Sequence, residues 1–155
     1  MTGALDLAGS SDIEAIWAIE RTEGYGPYVG RWEREAHRAE MERPGSLYLV
    51  WREDGRTTGF VLLQHLDDLH GTAYLKRMAM AVAGQGAGTA FLKAVVDWVF
   101  ANTATHRLEL PTVEHDHRAR RCYEKAGFVT EGLLRDRFRD GDGWVSAWLM
   151  AVIRP

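Results

Sequence analysis

The sequence predicts an α+β fold: a mixed, mostly antiparallel sheet of about seven strands flanked by about four helices. Three observations carry that reading. Short β-rich runs are joined by tight turns such as Asp54-Gly55 and Asp140-Gly141-Asp142-Gly143, which favour hairpins. Apolar residues recur at helical spacing in three separate windows, and a charged run supplies a fourth helix. A glycine-rich stretch, Val82 to Ala90, links a strand run directly to the longest of those helices. At 155 residues, 46% hydrophobic and with a net charge of −3, residues 1–155 fit one domain able to bury a substantial core.

In chain order, Leu5 and Leu7 alternate as a short strand. Ser11 with Glu14 three positions on then resembles a capping box ahead of Ile13, Ile16 and Trp17. Residues 24–30 are loop by composition, and Trp32 to Glu42 reads as a charged second helix ended by Pro44-Gly45. Leu47–Trp51 and Thr58–Leu63 are strands joined through Asp54-Gly55, and Ala73–Val82 is a third strand leading into the glycine turn. Phe91, Leu92, Val95, Val96 and Val99 give the helix that follows one apolar face, to be laid against a sheet. Leu108–Val113 is a further strand, with Pro111 suggesting an edge or a bulge. From Asp116 to Ala126 a stripe at Ala119, Cys122, Tyr123 and Ala126 predicts a helix stopped at Gly127. Phe128–Arg139 and Gly143–Ile153 close the chain as a long hairpin.

Composition narrows the function classes. No run approaches the roughly 18 apolar residues of a membrane span, and Met1 to Gly9 lacks the layout of a signal peptide, so a cytoplasmic protein without a membrane partner is expected. The mild acidity gives no support for nucleic-acid binding. A lone cysteine, Cys122, excludes an internal disulfide and reads as packing. His115-Asp116-His117 places three ligand types together, but adjacent residues at a helix start point apart and no distant ligand is signalled, so no metal is expected.

The turn Ala83-Gly84-Gln85-Gly86-Ala87-Gly88-Thr89 carries the first chemistry. Glycines let the backbone approach a ligand, amide N–H groups point outward, and the helix adds the positive end of its dipole, so the natural guest is a phosphate or pyrophosphate. A dinucleotide-binding fold would place such a turn after the first strand; here it follows three hairpin-connected strands.

That order resembles the GNAT superfamily of acetyl-CoA-dependent N-acetyltransferases, and two motifs agree with it. The turn is similar to the family's Arg/Gln-x-x-Gly-x-Gly/Ala signature, with Gly86 and Gly88 in the paired positions and Ala83 where Arg or Gln is usual. Asp116 to Phe128 is similar, without a gap, to the family's Asn-x-x-Ala-x-x-x-Tyr-Glu-Lys-x-Gly-Phe, with Asp116 replacing the common Asn. The small-molecule and amino-acid branch is the closest in pattern.

The resemblance implies an amine attacking the thioester of acetyl-CoA directly in a ternary complex, without a covalent enzyme intermediate. It implies that residues 83–89 hold the pyrophosphate. Met78, Ala79 and Met80 would carry the pantetheine, with the Met78 amide offered to the developing oxyanion, while Asp116, Ala119 and Lys125 complete the coenzyme A contacts. Tyr123 matches the tyrosine that protonates the departing thiolate, a role compatible with packing along its stripe. Glu109, Glu114 and His115 could each serve as base through a water, and none is singled out. Arg118, Arg120 and Arg121 are either a solvated helix face or partners of coenzyme A phosphates.

Glu23, Tyr25, Tyr28 and Trp32 either cover the core or form the acceptor wall, where aromatics with a carboxylate suit a small amine. A protein or peptide acetyltransferase and a silent coenzyme A-binding module are the alternatives, and the resemblance leaves room for a homodimer.

Overall fold

Asp54 and Gly55 both adopt positive φ, 51° and 76°, the geometry of a two-residue turn whose twist matches its flanking strands. The hairpin they close lies inside the one sheet of the computed structural model, which describes residues 3–22, 31–82 and 86–155. The elements are β1 (Ala4–Leu7), α1 (Ile13–Glu20), α2 (Arg34–Met41), β2 (Leu47–Glu53), β3 (Arg56–Gln64), β4 (Thr72–Met80), α3 (Ala87–Asn102), β5 (Arg107–Val113), α4 (His117–Lys125), β6 (Val129–Asp140) and β7 (Gly143–Ile153). The seven strands lie in the order β1-β2-β3-β4-β5-β7-β6. Among the described residues only β4 and β5 pair in parallel.

Helices cover both faces. Phe91, Leu92, Val95, Val96 and Val99 of α3, the five positions the periodicity selects, are buried against Leu49, Val61, Leu63, Leu108 and Met150. On the other face Ile16 and Ile19 of α1 pack on Tyr48, Val50, Phe60, Leu62 and Ala79. Arg154 then closes the far end of α3, donating to the carbonyls of Phe100 at 2.6 Å and Thr103 at 2.8 Å.

Two irregularities shape the middle of the sheet. Leu62 pairs with Arg77 but Leu63 pairs with Leu75, so Lys76 is an extra residue bulged out of β4. A one-residue bulge exchanges the faces of everything after it. Ala73 and Leu75 therefore face α3, and past the bulge so do Met78 and Met80, while Ala79 joins the opposite core and Arg77 bonds α1.

The second irregularity is a splay. β4 and β5 pair only through Thr72–Tyr74 and Arg107–Glu109, although β5 pairs with β7 along its whole length. Leu75 to Met80 and Leu110 to Val113 thus diverge, opening a wedge between the middle strands. Pro111 was expected at an edge or a bulge; the strand is internal, and the proline is admitted because the β4 side of β5 is already unpaired there.

Candidate active site

The wedge between β4 and β5 opens toward the turn that joins β4 to α3. Gly86 precedes α3 with φ of 81°, a conformation side chains rarely adopt, and open space lies where its Cβ would be. Gly88 sits in the first helical turn, where a Cβ would come 3.8 Å from Met80 Cγ. The first turn of α3 carries no acidic residue and no side-chain cap among the described residues, so the positive end of its dipole is uncompensated. Ala87 and Thr89 are half-buried in that turn. Ala83, Gly84 and Gln85 lie outside the described residues.

α4 lies beside this turn. Thr89 Oγ1 and Cys122 Sγ are 3.4 Å apart, joining the first turn of α3 to the middle of α4. Cys122 is half-buried in that contact, as its reading as a packing residue requires. Asp116 caps α4: its carboxylate accepts from the Ala119 amide at 3.1 Å. Gly127 ends the helix with φ of 100°. Cys122, Tyr123 and Ala126 are half-buried and packed against the core and Ala119 is half-buried, whereas Arg118, Arg121 and Lys125 are exposed. The Tyr123 ring packs edge-on against Phe128, with centroids 5.6 Å apart. Arg120 stacks on Trp148 at 4.8 Å and approaches Glu124 at 3.6 Å, which commits it to the protein surface.

Met78, Ala79 and Met80 end β4 along the open edge of the wedge. Met78 is half-buried, Ala79 and Met80 buried, and because of the bulge Met78 faces α3 rather than α1.

A second cluster lies across the sheet, beneath α1 and α2, and the sequence reading did not find it. His37, fully buried, stands 2.5 Å from Glu20 Oε1 through Nε2 and 2.6 Å from the Tyr48 hydroxyl through Nδ1. Glu20, 1% exposed, also accepts from the Trp32 backbone N–H at 3.3 Å and from Arg77 Nη1 at 3.3 Å. The Arg77 guanidinium lies 4.1 Å from the centre of the Trp32 ring. Burial, aided by the carboxylates of Glu40 and Glu20, pushes the Tyr48 hydroxyl well above the ordinary tyrosine range, so it stays a proton donor. A signal existed: Glu20 falls four residues after Ile16, on the apolar stripe of α1, where a carboxylate needs a partner.

This cluster fixes Trp32, expected both as an acceptor-wall residue and as the start of the second helix. It is half-buried, ahead of α2, and Glu33 takes the capping position. Glu23, Tyr25 and Tyr28 lie outside the described residues. The capping box expected from Ser11 and Glu14 is made by another residue. The Asp12 carboxylate accepts from the Gly9 N–H at 2.9 Å while Arg52 holds its other oxygen, and the Glu14 carboxylate instead pairs with Arg34 at 2.5 Å.

Among the base candidates, Glu109 accepts from Arg107 at 2.8 Å, and the same guanidinium grips both oxygens of Glu131 at 2.9 and 2.7 Å. Those hydrogen bonds drive the Arg107 pKa above its ordinary value, so Glu109 is held as a counter-ion. Glu114 and His115 are exposed at the end of β5. Among the described residues no three His, Cys, Asp or Glu side chains converge, and no helix is long and apolar enough to cross a membrane.

Residues 13–128 match the model of the acetyltransferase (GNAT) family. The chain is 31% identical over 149 residues to the probable N-acetyltransferase YjcK of Bacillus subtilis (strain 168), covering 93% of this chain and 82% of that protein. Among solved structures, a chimera of the spermidine N-acetyltransferase SpeG from Vibrio cholerae and hSSAT superposes with a TM-score of 0.86 at 19% identity, over 99% of this chain and 96% of the other. The ribosomal-protein-S18-alanine N-acetyltransferase from Escherichia coli gives 0.79 at 20%, over 98% and 94%. The Vibrio cholerae spermidine N-acetyltransferase in complex with CoA and spermine gives 0.81 at 18%, over 97% and 95%.

Proposed function

This chain belongs to the GNAT acetyltransferase family, and on that premise we propose that it acetylates a primary amine of a small molecule or amino acid, the amine attacking the thioester of acetyl-CoA directly. The observation that carries the proposal is the wedge between β4 and β5. It leaves the β5-facing edge of β4 beyond Tyr74 without a partner strand, leading to the N-terminus of α3, whose first turn carries no acidic residue among those described. Unpaired strand amides suit an amide-rich arm, and the helix terminus suits the pyrophosphate at its end.

In this reading residues 83–89 hold the pyrophosphate and Met78 to Met80 line the pantetheine. The Met78 amide stabilises the charge that develops on the thioester oxygen. Tyr123, half-buried on the α4 face turned toward the core, delivers a proton to the departing thiolate. Asp116 acts first as the cap that sets the start of α4, with Ala119 in its first turn, and Lys125 offers an exposed cation to coenzyme A. Trp32 forms part of the acceptor wall together with Glu23, Tyr25 and Tyr28. No metal enters the route.

The structural relatives include enzymes named for spermidine and for an alanine of a ribosomal protein, so one fold accommodates both a small-amine and a protein acceptor. A calorimetric titration with acetyl-CoA, followed by a screen of amines, amino acids and N-terminal peptides for thiol release, tests the proposal. Binding with turnover of a small amine is the expected result. Absence of acetyl-CoA binding would sink it, and turnover of peptides alone would reassign the acceptor. Tyr123→Phe is expected to lower kcat roughly 100-fold with little change in stability. An unchanged kcat rejects the proton-donor role.

A further inference from the structure

One carboxylate ties a residue ahead of α2 to the middle of the sheet. Glu20, the last residue of α1, accepts from the Trp32 N–H through Oε1 and from Arg77 Nη1 through Oε2, both at 3.3 Å. Trp32 is held again by the next residue of the chain: Arg21 Nη2 donates to the Trp32 carbonyl at 3.1 Å and reaches Glu33 at 3.4 Å. The Trp32 ring lies 4.1 Å from the Arg77 guanidinium carbon and 5.4 Å from the His37 ring. Its N–H, its carbonyl and its ring are each fixed by a side chain from elsewhere in the fold, although Trp32 itself belongs to neither helix nor strand.

The hold continues past Trp32. Arg34 pairs with Glu14 and stacks 4.0 Å from the centre of the Trp17 ring, which Arg21 also approaches at 4.1 Å. Residues 32–34 are therefore docked on α1 at three successive positions.

Stability is a poor account of this arrangement. A buried ionised group adds little over apolar filling of the same volume, and losing one partner is costly, so its return is a single defined geometry. Apolar filling is what the opposite face, beneath α3, uses.

That geometry reaches the reacting strand. Arg77 is the β4 residue before Met78, and the bulge at Lys76 leaves it bonded to α1 while Met78 faces α3. Resting on the acetyl-transfer reading above, in which Trp32 lines the acceptor and the Met78 amide meets the thioester oxygen, we propose that Glu20, Arg21 and Arg77 are positioning residues that set the Trp32 ring relative to β4. They act on the acceptor only through Trp32, and the quantity they govern is acceptor binding.

Steady-state kinetics of the intact protein at saturating acetyl-CoA tests this, with n-butylamine, alanine, 4-aminobutyrate and spermidine as acceptors. A parent protein that acetylates none of them removes the small-amine reading and this inference with it. Given turnover, Trp32→Leu should raise the acceptor KM about 10-fold, with kcat and the acetyl-CoA KM within about 2-fold of the parent. Arg77→Lys keeps a charge for Glu20 but no planar group for the ring, so the acceptor KM should rise about 5-fold. Arg21→Gln, at a half-buried position, releases the Trp32 carbonyl and should raise it about 3-fold with the fold intact. In the Trp32→Leu background Arg77→Lys should add less than about 2-fold, because no ring is left to position. If Arg77→Lys does not fold, the same cycle run with Arg21→Gln decides. A fall in melting temperature and kcat with the acceptor KM unchanged, or an effect equally large with and without Trp32, is what a merely structural role gives. Either result overturns the proposal and leaves the acetyl-transfer reading standing.

Discussion

Where α3 meets the sheet, Phe91, Leu92, Val95 and Val99 are fully enclosed among aliphatic and aromatic neighbours, whereas at the same depth beneath α1 and α2 lie Glu20, His37 and Arg77. The apolar face derives its stability from area and shape, terms that fall gradually as atoms are removed. The polar face depends on each member finding all its partners, so the loss of one strands the others in a poorly hydrated place. The division follows the two faces of the sheet: the apolar core supports α3, while the buried polar cluster supports Trp32 and the β4 residue next to Met78.

The largest expected effect is on the apolar face. Phe91 packs at 5.5 Å from the Trp51 ring, and a Cβ on Gly59 would already crowd it at 3.3 Å, so there is little room for collapse into a cavity. Phe91→Ala should cost about 4 kcal/mol in denaturant unfolding. A loss below about 1 kcal/mol would mean the two faces do not divide as described.

Glu20→Gln should cost somewhat less, about 3 kcal/mol, because the amide keeps some hydrogen bonds but replaces the carboxylate that accepts from Arg77. The sharper measurement is coupling. Combined with Arg77→Met, the loss should fall short of the sum by about 1 kcal/mol or more, since one variant removes the need for the other. Combined with Phe91→Ala across the sheet, the losses should simply add. Additivity in the first pair, or strong coupling in the second, would break the comparison.

The same contrast explains what could be read from the chain. The stripe of α3, the Asp54-Gly55 turn and the Gly127 stop are local: spacing or a single backbone angle decides them, and all stand where expected. The bulge at Lys76 is not local, because it appears only when β4 is laid against β3, and it decides which way Met78 points. The Ser11–Glu14 pattern misled because Asp12, one position later, is claimed by Arg52 from 40 residues away. Motif spacing singles out Tyr123 and Gly86 as candidates, whereas Glu20, His37 and Arg77 come from three separate elements. Only their depth, not their order in the chain, marks them.

Asp12 gives a pH-dependent test at the border of the polar face. Burial raises its pKa, but the hydrogen bonds from Arg52 and the Gly9 N–H and the Arg52 charge outweigh that and hold it below its ordinary 3.8. A depressed folded-state pKa contributes stability that is present above the unfolded value and is lost as pH falls through the folded one. Asp12→Asn should therefore flatten the fall in melting temperature between about pH 5 and pH 2, an interval set by that linkage. An unchanged acid limb would remove Asp12 from the account.

The smallest effect bears on the coenzyme side. Because Asp116 Oδ1 accepts from the Ala119 amide, Asp116→Ala should cost about 1 kcal/mol, the ordinary loss of a helix cap. Asp116→Asn can make the same bond and should leave stability within about 0.5 kcal/mol. The affinity for acetyl-CoA separates capping from direct contact. If the carboxylate only sets the start of α4, the asparagine variant binds as the parent does and the alanine variant binds more weakly as its helix start frays. If the side chain touches the pantetheine, asparagine, which can donate as well as accept, changes affinity while stability stays fixed. Measured together, melting temperature and dissociation constant assign Asp116 to the scaffold of the wedge or to its contents.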